Sequence, residues 1–163
     1  MGSASDEDTA VDGLPPELAL AFATGGEMGA RMRDLDWSAT ALGEPASWPP
    51  VLRGAVALML ASRAQIVIFW GPEYAALYND AYVPTMGTKH PGHLGRPGRE
   101  MWNEVWELLG RLFDGVVTSG EAYWAPNHRF MLERHGYLEE TYFDISYDPI
   151  RRADGSVGGV FCI

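Results

Sequence analysis

Two histidines three residues apart, His90 and His93, are the first residues in this 163-residue sequence whose types and spacing fit a metal. A turn or a helix can close that spacing around one ion. They lie in a stretch rich in Gly and Pro, TKHPGHLGRPG, with no cysteine or carboxylate cluster close by in sequence. They therefore read as exposed loop histidines, and no metal site is expected. Glu139, Glu140, Asp144 and Asp148 offer carboxylates, but on a strand such charges usually face water, and no serine or histidine arrangement accompanies them. Arg151 and Arg152 precede an Asp154-Gly155 turn and read as hairpin decoration. The chain holds neither a GxxxxGK nor a GxGxxG pattern, so nothing is expected to cradle a nucleotide phosphate. Catalysis by this segment is not expected. The remaining chemical resource is aromatic: six Trp, seven Tyr and six Phe either fill a bulky core or line a cavity.

A formal charge of −10 and a pI near 4.7 repel phosphates and anionic lipid, so nucleic-acid and membrane-surface partners are not expected. Cys162 is the sole cysteine, which excludes an internal disulfide and fits a reducing compartment. No apolar run approaches the roughly 20 residues that span a bilayer, and no basic-then-apolar leader opens the chain. A cytoplasmic location is the expectation. With 47% hydrophobic residues the chain has enough apolar surface for one core.

The elements that would position these residues follow from periodicity. Residues 1–15 are small, acidic and punctuated by Gly and Pro, and read as a disordered tail. Residues 16–35 carry a weak helical stripe through Met28, Met32 and Leu35, followed by a polar connector, WSATALGEPASWPP, expected at the surface. Proline after Ser47-Trp48 starts a helix in which Val51, Leu52, Ala55, Val56, Met59 and Leu60 share a face. Ile66 to Trp70 reads as a central strand ended by Gly71-Pro72, and Glu73 to Tyr78 as its hairpin partner. Asn79-Asp80 offers a cap to a short helical segment. The strongest helix is expected over 101–118, where Trp102, Val105, Trp106, Leu109, Leu112, Phe113 and Val116 recur at helical spacing before Gly120. The period then switches to two. Residues 121–125 and 129–133 read as strands, Thr141, Phe143, Ile145 and Tyr147 as the core face of another, and Val157, Gly159, Phe161 and Ile163 as the inward face of a returning strand. Two hairpin units around a helical crossover make an α+β domain.

That order resembles the PAS domain, with its five-stranded antiparallel sheet and helical wall. WGPEYAALYNDAYVP is similar to the strand that runs into Asn and a short helix, LGRPGREMW to the turn that launches the long helix, and GYLEETYFDISYDPIRRADGSVGGVFCI to the terminal hairpin. Upstream, GGEMGARMRDLDWSATALGEPASWPPVLRGAVALMLAS looks like the leader before the first PAS domain of many bacterial sensor histidine kinases. The resemblance divides the chain into a tail (1–15), an N-terminal helical extension (16–62) and a PAS domain (63–163).

The resemblance implies an input domain that receives a ligand or partner and regulates an attached output domain, a histidine kinase first among the candidates. The strand pattern stops at Ile163, so an output segment is expected to follow. The long helix would wall a ligand cavity, with Ile66, Ile68 and Trp70 from the first strand as candidate lining. Trp102, Trp106 and Phe113 from the helix, and Phe143 and Phe161 from the last two strands, complete the set. Haem is disfavoured because 101–118 holds no histidine and His93 comes several residues too early. Light-oxygen-voltage photochemistry would need a cysteine at the start of that helix, whereas Cys162 lies in the last strand; non-covalent flavin stays open. The ligand is left unassigned, with a small apolar or aromatic molecule as one candidate. The alternatives are a ligand-free homodimerisation module built on the helices over 16–35 and 51–60, and a small isomerase-like enzyme, which would need a buried carboxylate in the cavity.

Overall fold

Proline sets the start of two of the three N-terminal helices: Pro16 opens α1 (Pro16–Thr24) and Pro50 opens α3 (Pro50–Ala61). In the first turn a missing N–H forfeits no helical bond. The computed structural model describes residues 13–163, so most of the expected tail lies outside the described residues. Leu14 already packs on the core, and the Pro15 carbonyl accepts from Leu18 and Ala19. Between α1 and α2 (Gly26–Asp34), Gly26 takes φ 70°, and a Cβ there would stand 2.1 Å from an Asp80 carboxylate oxygen. That carboxylate accepts from the Glu27 and Met28 amides at 3.0 and 2.7 Å, capping α2 from more than fifty residues away.

The connector over 37–50 corrects the surface expectation. Trp37 and Trp48 are buried, their rings meet edge to face at 4.9 Å, and their indole N–H groups donate to the carbonyls of Met32 and Gly43. Polar neighbours in sequence hid two core residues whose polar ends are satisfied locally.

Five strands form one antiparallel sheet in the order β2-β1-β5-β4-β3. They are β1 (Val67–Trp70), β2 (Ala75–Tyr78), β3 (Tyr123–Glu133), β4 (Leu138–Arg151) and β5 (Val157–Cys162). The two strands expected over 121–133 are one, β3, bulged between Ala125 and His128. Asn127 takes φ 50° at the bulge and donates its amide to Asp144. The α+β class and the five-stranded antiparallel sheet stand as expected.

Crossing from β2 to β3, the chain forms α4 (Val83–Met86), α5 (Gly98–Met101) and α6 (Trp106–Ser119). The continuous helix expected over 101–118 is therefore broken. Trp102 sits at φ −123°, ψ 44°, and a single 3₁₀ turn, Asn103–Val105, leads into α6. Lys89 occupies the break: its ammonium donates to the Met101 carbonyl at 2.7 Å, pairs with Glu104 at 3.0 Å and lies 5.0 Å over the Trp102 ring. A cation from a distant loop thus caps α5, which no local periodicity reveals. At the other end Gly120, at φ 69°, stops α6 as expected.

Helix α3 packs on β2 and β4, while α6 packs on β4 and β5. Every residue of β1 and β2 is buried.

Candidate functional site

Between the sheet and the α5–α6 joint lies a cavity of about 390 Å³, within the range of small-molecule sites. Val67 and Phe69 of β1, Ile145 and Tyr147 of β4 and Cys162 of β5 make its floor. Trp102 at the joint, with Leu109 and Phe113 of α6, makes the opposite wall. Phe130 and Leu132 of β3 close one side, and Tyr82 and Thr85 the other.

Of the residues expected to line a pocket, Trp102, Phe113 and Phe143 stand in this wall, whereas Ile66, Ile68, Trp70, Trp106 and Phe161 do not. The phase of two strands explains most of the difference. Val67 pairs with Cys162, and Ile68 with Phe161, so one pair faces the cavity and the other the opposite side of the sheet. A one-residue change of phase exchanges every side chain between faces. Trp70 lies instead against the β5 glycines, where a Cβ on Gly158 would approach its ring to 2.5 Å, and Arg152 covers that ring at 4.9 Å. Trp106 packs among Phe69, Tyr74 and Phe113 at centroid distances of 6.5, 5.8 and 5.9 Å, filling the space beside the cavity.

Polar groups are few in the wall. Thr85 donates to Gln65 at 2.6 Å. Tyr147 is 7% exposed, and Cys162, its direct cross-strand partner, is 5% exposed. Burial pushes the Tyr147 phenol far up, with Cys162 and Tyr82 nearby adding to the shift. Burial likewise pushes up the Tyr82 phenol, an effect the adjacent Trp102 side chain opposes, and raises the Cys162 thiol well above its ordinary value. All three groups keep their protons at neutral pH, so the wall offers neither a base nor a thiolate. The only carboxylate of the wall among the described residues, Asp144, is exposed and already accepts from the Asn127 amide.

The other residues weighed for chemistry are engaged elsewhere. His90 is not an exposed loop residue: its two ring nitrogens meet the Tyr78 hydroxyl at 2.8 Å and Glu27 at 2.9 Å. His93 has a buried Nδ1 without a hydrogen-bond partner among the described residues, and desolvation and the Lys89 cation hold its pKa low. No group of three or more His, Cys, Asp or Glu suited to a metal occurs among the described residues. Glu139 pairs with Arg134 and Glu140 with Arg129. Arg151 joins the Gly155 and Gly120 carbonyls.

No established protein-family profile matches the sequence. Among solved structures, an RNA-binding light-oxygen-voltage receptor aligns with 76% of this chain and 35% of its own, at 17% identity and a TM-score of 0.50. The fold is that of a PAS domain. Two further structures align less closely. A sensory box sensor histidine kinase from Vibrio cholerae shares 17% identity over 60% of this chain and 77% of its own, at a TM-score of 0.47. A fungal light-oxygen-voltage photoreceptor shares 12% identity over 61% of this chain and 71% of its own, at 0.45. Within this PAS fold, Tyr82, Leu109, Tyr147 and Cys162 went unrecognised as cavity residues from sequence. The alternation of β4 had placed Tyr147 on the core face and the helical stripe had placed Leu109 on the buried side of α6; Tyr82 and Cys162 had no such signal.

Proposed function

We propose that this chain is a signalling input module in which a small ligand held between Trp102 and the sheet biases two packings of the α5–α6 segment. The observation that carries the reading is the cavity: a mostly apolar recess of small-molecule size, open on one side and placed beside a break in the helical wall. A ligand that favours one packing of the joint shifts the equilibrium only by its differential affinity for the two. The change leaves through β5 and the N-terminal helices to a covalently linked output domain, with a histidine kinase as the first class to test. The wall's protonated phenols and thiol suit binding better than catalysis. No helix among the described residues is long and apolar enough to cross a membrane, and we place the module in the cytoplasm.

Denaturing the purified protein and analysing what it releases by absorbance and mass spectrometry tests the reading. A released small molecule, absent from a Leu109→Trp variant that fills the cavity, is expected. A protein that releases nothing and gains no thermal stability from added naphthalene-sized probes overturns it.

A second reading, homodimerisation, rests on Leu20 of α1 and Leu58 of α3, which are 66% and 64% exposed on helices that pack together. Sedimentation that shows a dimer in the native chain and a monomer in Leu20→Glu/Leu58→Glu would support it. A monomer in both would end it.

A further inference from the structure

The cavity wall holds a phenol whose hydroxyl makes no hydrogen bond to another described residue: Tyr147, which is 7% exposed. The ring is held on two sides, by Phe113 at 5.1 Å edge to face and by Tyr123 at 6.3 Å, so the hydroxyl cannot swing to another partner without repacking the core. Its cross-strand neighbour is the Cys162 thiol, a weak partner at best. The hydroxyl is not among the fully buried unpaired atoms, so it is reached from the cavity, where water takes its hydrogen bond until a ligand displaces it. A ligand atom that accepts restores that bond.

Charge narrows the ligand further. No Lys, Arg or His is among the lining residues, and the rim carries Asp144 on a chain of net charge −10. An anion would enter without a counter-charge and against the field. The other walls are the aliphatic and aromatic groups of Val67, Phe69, Leu109, Phe113, Phe130 and Ile145. We propose that the cavity selects a neutral, flat, apolar molecule bearing one hydrogen-bond acceptor, a carbonyl oxygen or ring nitrogen, that accepts a hydrogen bond from the Tyr147 hydroxyl. The inference rests on the cavity being a ligand site, and the test separates the two ideas.

Three probes of nearly equal size serve: 2-acetylnaphthalene, 2-ethylnaphthalene and 2-naphthoate. Their affinities are read by calorimetry on the whole chain. The ketone should bind best, the hydrocarbon about tenfold more weakly, and the anion weakest, a neutral hydrogen bond being worth about one factor of ten at most. Tyr147→Phe should erase the preference for the ketone while leaving the hydrocarbon's affinity unchanged. Its melting temperature without probe should hold, because the hydroxyl makes no hydrogen bond to another described residue. Should the hydrocarbon bind as well as the ketone, or naphthoate bind best, the acceptor assignment falls while the cavity stands as a ligand site. Should none of the three bind, or all bind unchanged in Leu109→Trp, the ligand-site reading falls with it.

Discussion

Asn79 holds three parts of the chain together with one side chain. Its carbonyl oxygen accepts from the Ile66 and Tyr82 amides, each at 3.2 Å, and its amide donates to the carbonyls of Met59, Ser62 and Ala64 at 3.0, 3.3 and 2.8 Å. It is 1% exposed, so no water replaces a lost bond. Asn79→Ala should destabilise the fold by about 3 kcal/mol, since each orphaned buried group costs about 1 kcal/mol or more; urea denaturation measures it, and Asn79→Asp should not rescue, because it lacks the donors. The buried phenols of Tyr78, Tyr82 and Tyr147 are also raised, and desolvation is the leading cause for each. A phenol raised in the folded state binds its proton there while the unfolded chain releases it. Its stabilisation is therefore complete below the ordinary value of 10.0 and is lost as pH rises above it. Each phenol should contribute a slope of about −1.4 kcal/mol per pH unit above that value. Denaturation midpoints at pH 9 and 11 should show the fall, and a flat profile would mean that these hydroxyls reach water.

At the scale of elements, the break at Trp102 turns on a half-hidden ion pair. Lys89 and Glu104 side chains are 14% and 8% exposed, and Glu104 also accepts from the Glu133 amide at 2.9 Å, tying the joint to β3. Removing one partner leaves the other buried and uncompensated, which costs about 3 kcal/mol. Lys89→Met should show that loss, and Lys89→Met/Glu104→Gln should recover part of it. A double variant with the summed loss of the two single changes would show that the charges do not act as a pair. The same joint marks where sequence stops being informative. Helix α3, the C-terminal half of α6 and the core face of β4 were legible because one face is buried and the other wet, so periodicity shows directly. In β1 all four residues are buried, so Ile68 and Phe69 look alike to any pattern argument; only pairing with β5 decides that Phe69 and Cys162 meet the cavity. Trp37 and Trp48 were missed for the converse reason: satisfied indoles let core residues sit within a polar segment.

For the whole molecule, the cavity and the N-terminal helices share one short turn. Asp80 and Tyr82 are the ends of the 3₁₀ turn Asp80–Tyr82; the first caps α2 and the second stands in the cavity wall. Asn79 fixes the start of that turn to the end of α3. A ligand that shifts Tyr82 must therefore move the Asp80 carboxylate relative to the Glu27 and Met28 amides, and α2 would register occupancy without touching the ligand. This gives the coupling a physical element that both sites bias. Hydrogen-exchange mass spectrometry with 2-acetylnaphthalene should show slowed exchange over residues 26–34 as well as around Trp102. In Asp80→Ala, exchange over 26–34 should be faster without probe and indifferent to it, while probe affinity stays within about twofold, since Asp80 is not among the lining residues. Protection confined to residues 102–119 and 143–147 in the native chain would instead mean that the helical extension covers the sheet without reporting on the cavity.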